Sequence, residues 1–214
     1  MPPKRKFTAN EIAAAALAIV KEQGVAALTA RELGKRLGCS ASPIFTVFQS
    51  MDEVKWAART LALREFEAYI SDYEDYTPAF KRIGTRMVSY AIREPELFKL
   101  LFLQQPPQGQ DFEDTIHGLG PLREISLRLI RRDYGLSLPE ANTLFEQVWV
   151  HTFGMGVLCA TRVCTLSEAE INEMLGQIFG GMMLLIHSGK AGAAAHPILP
   201  VGQRDKGEHD ELPY

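Results

Sequence analysis

Apolar residues recur at helical spacing along most of the chain, and most of these runs open on a helix-start signal. Ile12, Ala16, Ile19 and Val20 share one face of a predicted helix over 9–23, and Leu33 and Leu37 do so over 30–37. A Ser or Thr followed three residues later by Glu lets each side chain satisfy a free backbone N–H of the first turn. That pair occurs at Thr8/Glu11, Thr29/Glu32, Ser50/Glu53, Ser137/Glu140 and Ser167/Glu170. Thr77-Pro78 marks a further start, with proline where its missing N–H is harmless. Gly24 and Gly38 stand where a helix closes on a left-handed residue.

Beyond the first two helices, the pattern predicts a short third helix over about 41–49, with Ser40 as its cap and Pro43 in its first turn. A fourth opens after Ser50 and runs to about Tyr73. Others follow at about 78–93, 95–104, 119–134, 139–163 and 168–187, punctuated by proline and glycine. No convincing strand alternation separates them, so the fold class is all-α. The reading divides the chain into a three-helix head (1–50), a larger helical body (51–188) and a tail (189–214). The tail is rich in Gly, Ala, Pro and charge, and is expected to be mobile or loosely attached. Within the head, Gly38-Cys39-Ser40 joins the second and third helices tightly enough to form a helix-turn-helix.

Charge changes the picture. The 214 residues carry a net −3, yet residues 1–60 hold nine basic and five acidic side chains, leaving the remainder at −7. A basic head on an acidic body directs a polyanion to the head. The longest uncharged apolar stretch, Ile178–Ile186, is too short to span a bilayer, and no apolar run of signal-peptide length follows the first seven residues. The expected location is the cytoplasm, with no membrane partner. Three cysteines without metal-like spacing argue against a zinc site or a disulfide framework, and no cofactor is expected. Cys159 and Cys164, five apart, do not share a helical face. No phosphate loop, metal-spaced histidine cluster or nucleophile elbow is present, which argues against an enzyme.

The ordered residues Phe7-Thr8, Glu11-Ile12, Ala15-Ala16, Gly24, Ala27 to Gly34, Leu37 to Ser40, Pro43-Ile44-Phe45, Phe48 and Ser50 to Val54 resemble the DNA-binding domain of TetR-type transcriptional regulators. The resemblance covers about 50 residues. The remainder fits that family's helical ligand-binding and dimerisation domain in length and helix order, and Trp149 to Gly154 resembles a Trp/His/Gly pattern of some members. The resemblance implies a homodimer that binds a double-stranded DNA operator and, as a repressor, is released by a small effector.

By position, the resemblance places Ala41, Ser42, Pro43, Phe45, Thr46 and Val47 against the major groove. It places Thr29, Ala30 and Arg31 on phosphates at the start of the second helix, and Lys55 on a further phosphate. Two departures stand out. Phe45 occupies a position where the family usually has a phosphate-binding Tyr, and Met51 one where many members have Lys. The third segment also lacks Arg, Lys and Asn, so readout is expected to rest more on shape, water and the Lys4-Arg5-Lys6 arm than on bidentate base contacts. That arm either lies along the minor groove or is a solvated terminus.

In the body, Phe80, Met87, Tyr90, Phe98, Phe102, Phe112, Trp149 and Phe153, with His117 and His151 as polar contacts, are the candidates for an effector site. They imply an apolar or aromatic effector. Gly154, Gly156, Ala160, Gly176, Gly180 and Gly181 let the helices at 139–163 and 168–187 approach others closely, either within one subunit or across the implied dimer. The alternative is a helical interaction module or, through Cys39 in the turn, a redox sensor without an effector.

Overall fold

The computed structural model describes residues 7–104 and 111–190. Among them are nine α-helices and no strand: α1 (Ala9–Gln23), α2 (Ala30–Leu37), α3 (Met51–Ile70), α4 (Ala79–Arg93), α5 (Pro95–Phe102), α6 (Phe112–His117), α7 (Pro121–Tyr134), α8 (Leu138–Ala160) and α9 (Glu168–His187). The arm at 4–6 and most of the tail lie outside the described residues.

Local chemistry sets the helix starts. Thr8 and Ser167 make reciprocal boxes with Glu11 and Glu170. Glu140 accepts from the Ser137 backbone N–H at 2.8 Å. Thr29 caps α2 by accepting from Glu32 N at 3.2 Å. Ser50 caps α3, but the Glu53 carboxylate accepts from Gln49 N rather than from the cap residue itself.

The third helix predicted over 41–49 is not an α-helix. Only Ile44–Thr46 forms a single 3₁₀ turn, flanked by bends. Pro43 has no N–H to donate, and the Thr46 hydroxyl donates to the Pro43 carbonyl at 2.6 Å, favouring the tighter turn. Ser50 is extended (φ −151°, ψ 166°), so the chain has left helical geometry before α3 begins. The fourth predicted helix also stops early, at Ile70, and gives way to a 3₁₀ segment over Ser71–Asp75. Helix α6 was not foreseen: at six residues it is too short to show periodicity.

Two apolar clusters organise the molecule. The larger runs through residue 50: Ile12, Ile19 and Leu33 of the head belong to the same cluster as Val54 and Phe66 of α3, Met87 of α4, and Leu97 and Phe98 of α5. Helix α1 thus rests on the body. Lys21 pairs with Glu65 at 2.7 Å, and a side chain on Gly24 would meet the Glu96 carboxylate. The second cluster joins α4, α7 and α8 around Phe80, Ile130, Leu144 and Phe145.

Between α3 and α4 one carboxylate serves two cations. Asp72 Oδ2 accepts from Arg82 Nη2 at 2.6 Å, and Oδ1 from Arg86 Nε at 3.1 Å. The Arg86 and then the Arg82 hydrogen bonds hold the Asp72 carboxyl down to about 2 from its usual 3.8. A carboxyl whose pKa is depressed by folding stabilises above its unfolded value and ceases to as the pH falls through the folded one. Asp72 should therefore contribute fully above about pH 4 and nothing below about pH 2. Asp72→Asn is expected to remove roughly 1–2 kcal/mol at neutral pH, discounted for partial exposure, and to flatten the stability curve between those limits. Urea unfolding across pH 2–7 reads both effects.

Candidate nucleic-acid interface

The surface built by α2 and the segment after it starts from two glycines. Gly38 closes α2 in the left-handed region (φ 68°), and its N–H reaches back to the Gly34 and Lys35 carbonyls. Gly34 is buried because the turn lies directly on it: an added Cβ would stand 2.9 Å from the Cys39 carbonyl oxygen and 3.3 Å from the Ser40 carbonyl carbon. The Cys39 N–H donates to the Gly34 carbonyl at 2.9 Å, fixing the turn against the helix. Cys39 itself is half-buried. The family-like motif contains Gly34, but its role needs the fold: nothing local in the sequence says that a backbone strand crosses it.

Beyond the turn, one side chain anchors and its neighbours face out. Ile44 is fully buried, whereas Phe45 is 45% and Val47 39% exposed. Ser42 and Thr46 are exposed, and Ala41 and Pro43 half-buried. One braced turn thus presents two large apolar side chains to solvent. At the start of α2, Thr29 is exposed and Ala30 half-buried. Arg31 is exposed and has no ion-pair partner among the described residues. By contrast Arg36 is committed to Glu22, with bonds of 2.7 and 2.6 Å. Lys55 pairs loosely with Asp52 at 3.1 Å, one turn along an exposed helix face, where such a pair is easily exchanged.

The body candidates fall into three groups. Tyr90 and Phe102 pack on Phe66 and Phe98 on Phe102, with ring centroids 4.9–5.4 Å apart, and Met87 lies in the same cluster. Phe153 stacks on Trp149 at 5.1 Å and reaches Phe98 at 6.3 Å, bridging toward the cluster of Phe80. Phe112 and His117 sit exposed on α6, and His151 is half-buried on α8. A small cavity of about 160 Å³ lies among α4, α7, α8 and α9, lined by Phe80 but by none of the other nine candidates. Phe179 and Tyr134, which do line it, carry no signal in the sequence beyond apolar periodicity. Among the described residues three donors are buried without a hydrogen-bond partner, Tyr90 Oη, Trp149 Nε1 and Arg123 Nε. Burial, with Glu65 and Glu94 nearby, pushes the Tyr90 phenol well above its usual range.

The glycines of α8 and α9 split by direction. A Cβ on Gly156 would collide with the Phe98 ring at 2.6 Å, so this glycine serves packing within the subunit. Gly154, Gly180 and Gly181 have open space before them. On the same two helices Val150, Leu158, Leu184 and Leu185 are 40–74% exposed. Helix α8 ends at Ala160 and the chain reverses at Arg162 (φ 60°), so Cys164 lies beyond the helix that carries Cys159 and the two do not share a helical face. Among the described residues no cluster of potential metal ligands occurs, and no helix is long and apolar enough to cross a membrane.

No family model matches the sequence, and no curated protein matches it significantly. The fold does have counterparts among solved structures. A transcriptional regulator from Rhodococcus sp. Rha1 aligns with a TM-score of 0.56 over 83% of this chain and 97% of its own, at 18% identity. The two therefore share an all-helical architecture nearly end to end.

Proposed function

We propose that the protein is a dimeric, ligand-responsive transcriptional regulator of the TetR type, a repressor that leaves its operator when a small effector enters the helical body. The observation that carries this reading is the turn over Ser42–Val47: braced by Gly34, anchored by Ile44, and presenting Ser42, Phe45, Thr46 and Val47 to solvent, while the exposed Arg31 at the start of α2 has no ion-pair partner among the described residues. Groove contact through a hydroxyl and apolar pair suits thymine methyls and groove shape, and Arg31 with the α2 N-terminus suits a phosphate. The fold likeness to a transcriptional regulator supports the same reading.

Effector binding is supported by the buried aromatic array and by Tyr90 Oη and Trp149 Nε1, each an unsatisfied donor that costs about 1–3 kcal/mol until an acceptor reaches it. An apolar or aromatic molecule carrying an acceptor oxygen meets that demand. The apolar, small-residue face of α8 and α9 supports a two-fold dimer, which spaces the two turns about one DNA repeat, roughly 34–36 Å, apart.

Selection of bound sites from random duplex DNA at fixed salt tests the whole reading: a two-fold repeated half-site is expected, and no enrichment would overturn it. On a selected site, Arg31→Ala should weaken binding and make the slope of log K against log salt shallower by about one. Titration of the variant and the parent over the same salt range measures it.

A further inference from the structure

A second cleft, of about 520 Å³, opens among the end of α3, the segment before α4, α4 itself and the start of α9. Its lining is unlike the body's aromatic core. Arg82, Arg86 and Arg93 of α4 enter it with Tyr69, Tyr76 and Glu168, beside an apolar group of Ile92, Leu166 and Ile171. Two of the guanidiniums are held in place, whereas Arg93 is exposed. Arg82 lies 3.8 Å above the Tyr76 ring and Arg86 4.8 Å above that of Tyr69. Both share the one carboxylate of Asp72. Their side chains are only 17% and 25% exposed, so their entropy is already largely spent.

Charge is not balanced there. Asp72 offers one negative charge to Arg82 and Arg86, Glu168 adds a second, and Arg93, with no ion-pair partner among the described residues, leaves one positive charge in excess. Arg82 donates to Asp72 through Nε and Nη2, leaving Nη1 unused. Two fixed guanidiniums beside a third that is free to swing in favour an oxyanion over water. The adjoining, half-buried Ile92 and Leu166 favour an anion with an apolar body.

We propose that this cleft is a binding site for a small organic carboxylate with an apolar body, its carboxylate held by Arg82 and Arg93 and its body on the half-buried Ile92 and Leu166. The site adjoins the aromatic core assigned to the effector, Tyr69 packing on Tyr90 with ring centroids 5.4 Å apart, and its test does not depend on DNA binding.

Titration calorimetry of the full chain with benzoate reads it, with acetate and benzyl alcohol as probes lacking the body and the charge. Saturable binding of one benzoate per protomer is expected, at least tenfold tighter than either control. Arg93→Gln, which breaks no ion pair, should weaken benzoate at least tenfold, and Arg82→Gln should do the same. Circular dichroism checks that each variant is folded; if Arg82→Gln unfolds, Arg93→Gln alone decides. Absence of saturable benzoate binding, equal binding of either control, or an unchanged affinity in Arg93→Gln would each overturn the proposal.

Discussion

Gly34→Ala is expected to abolish sequence-specific DNA binding and to lower stability by about 1–3 kcal/mol. Helix propensity alone points the other way, since alanine in a helix interior gains about 1 kcal/mol over glycine. Sterics decide the sign. The new methyl would stand 2.9 Å from the Cys39 carbonyl oxygen and 3.4 Å from the Ala41 nitrogen, and both are backbone, so no rotamer change relieves the clash. The turn must lift, carrying Ser42–Val47 with it. Gly38→Ala is the control: its Cβ meets nothing within 4 Å, but its φ of 68° penalises a side chain. It should cost about 1 kcal/mol and leave binding within roughly tenfold. Urea unfolding and titration of a selected duplex separate the two variants. A Gly34→Ala protein as stable as its parent would show that the turn does not rest on α2.

That contrast also shows what the sequence carried. Helix starts were legible because a cap is settled within four residues: Thr8 with Glu11 and Ser167 with Glu170 place α1 and α9 without reference to anything distant. The third segment was misread because three small local preferences combined. Pro43, the back-bonding Thr46 and the extended Ser50 together shorten a helical pattern to one 3₁₀ turn. Features made by long-range packing were not legible. Gly34 under the turn, Gly156 under Phe98 and the pairing of Asp72 with Arg82 and Arg86 each depend on where a second element lies. Arg82 and Arg86 were one turn apart in plain view, yet nothing in their spacing identified Asp72, Tyr69 and Tyr76 as partners. The exposure of Phe45 and Val47 was legible only through the family resemblance, which sets both against a groove, because apolar residues in a short segment are otherwise taken to be core.

Leu184→Glu should convert a dimer into a folded monomer and weaken DNA binding by about 10²–10⁴-fold, the range that linking two sites ordinarily supplies. Leu184 is 74% exposed in the single chain, so the new carboxylate is solvated there and unfolding free energy should move by about 0.5 kcal/mol or less. In a dimer through α8 and α9 the same carboxylate enters an apolar contact with Leu185, Val150 and Leu158 around Gly154 and Gly181, where it has no partner. An unpaired charge buried there costs several kcal/mol, and two-fold symmetry sets a second copy of the same substitution into the same interface. The loss must then appear in two places at once. Sedimentation shows the change of mass, and titration of a duplex with two half-sites shows the affinity collapsing to that of one half-site. Leu184→Ala, which removes contact without adding charge, should weaken the dimer less. If Leu184→Glu remains a dimer with unchanged DNA affinity, the subunits meet through some other face, and the apolar stripe on α8 and α9 needs a different partner.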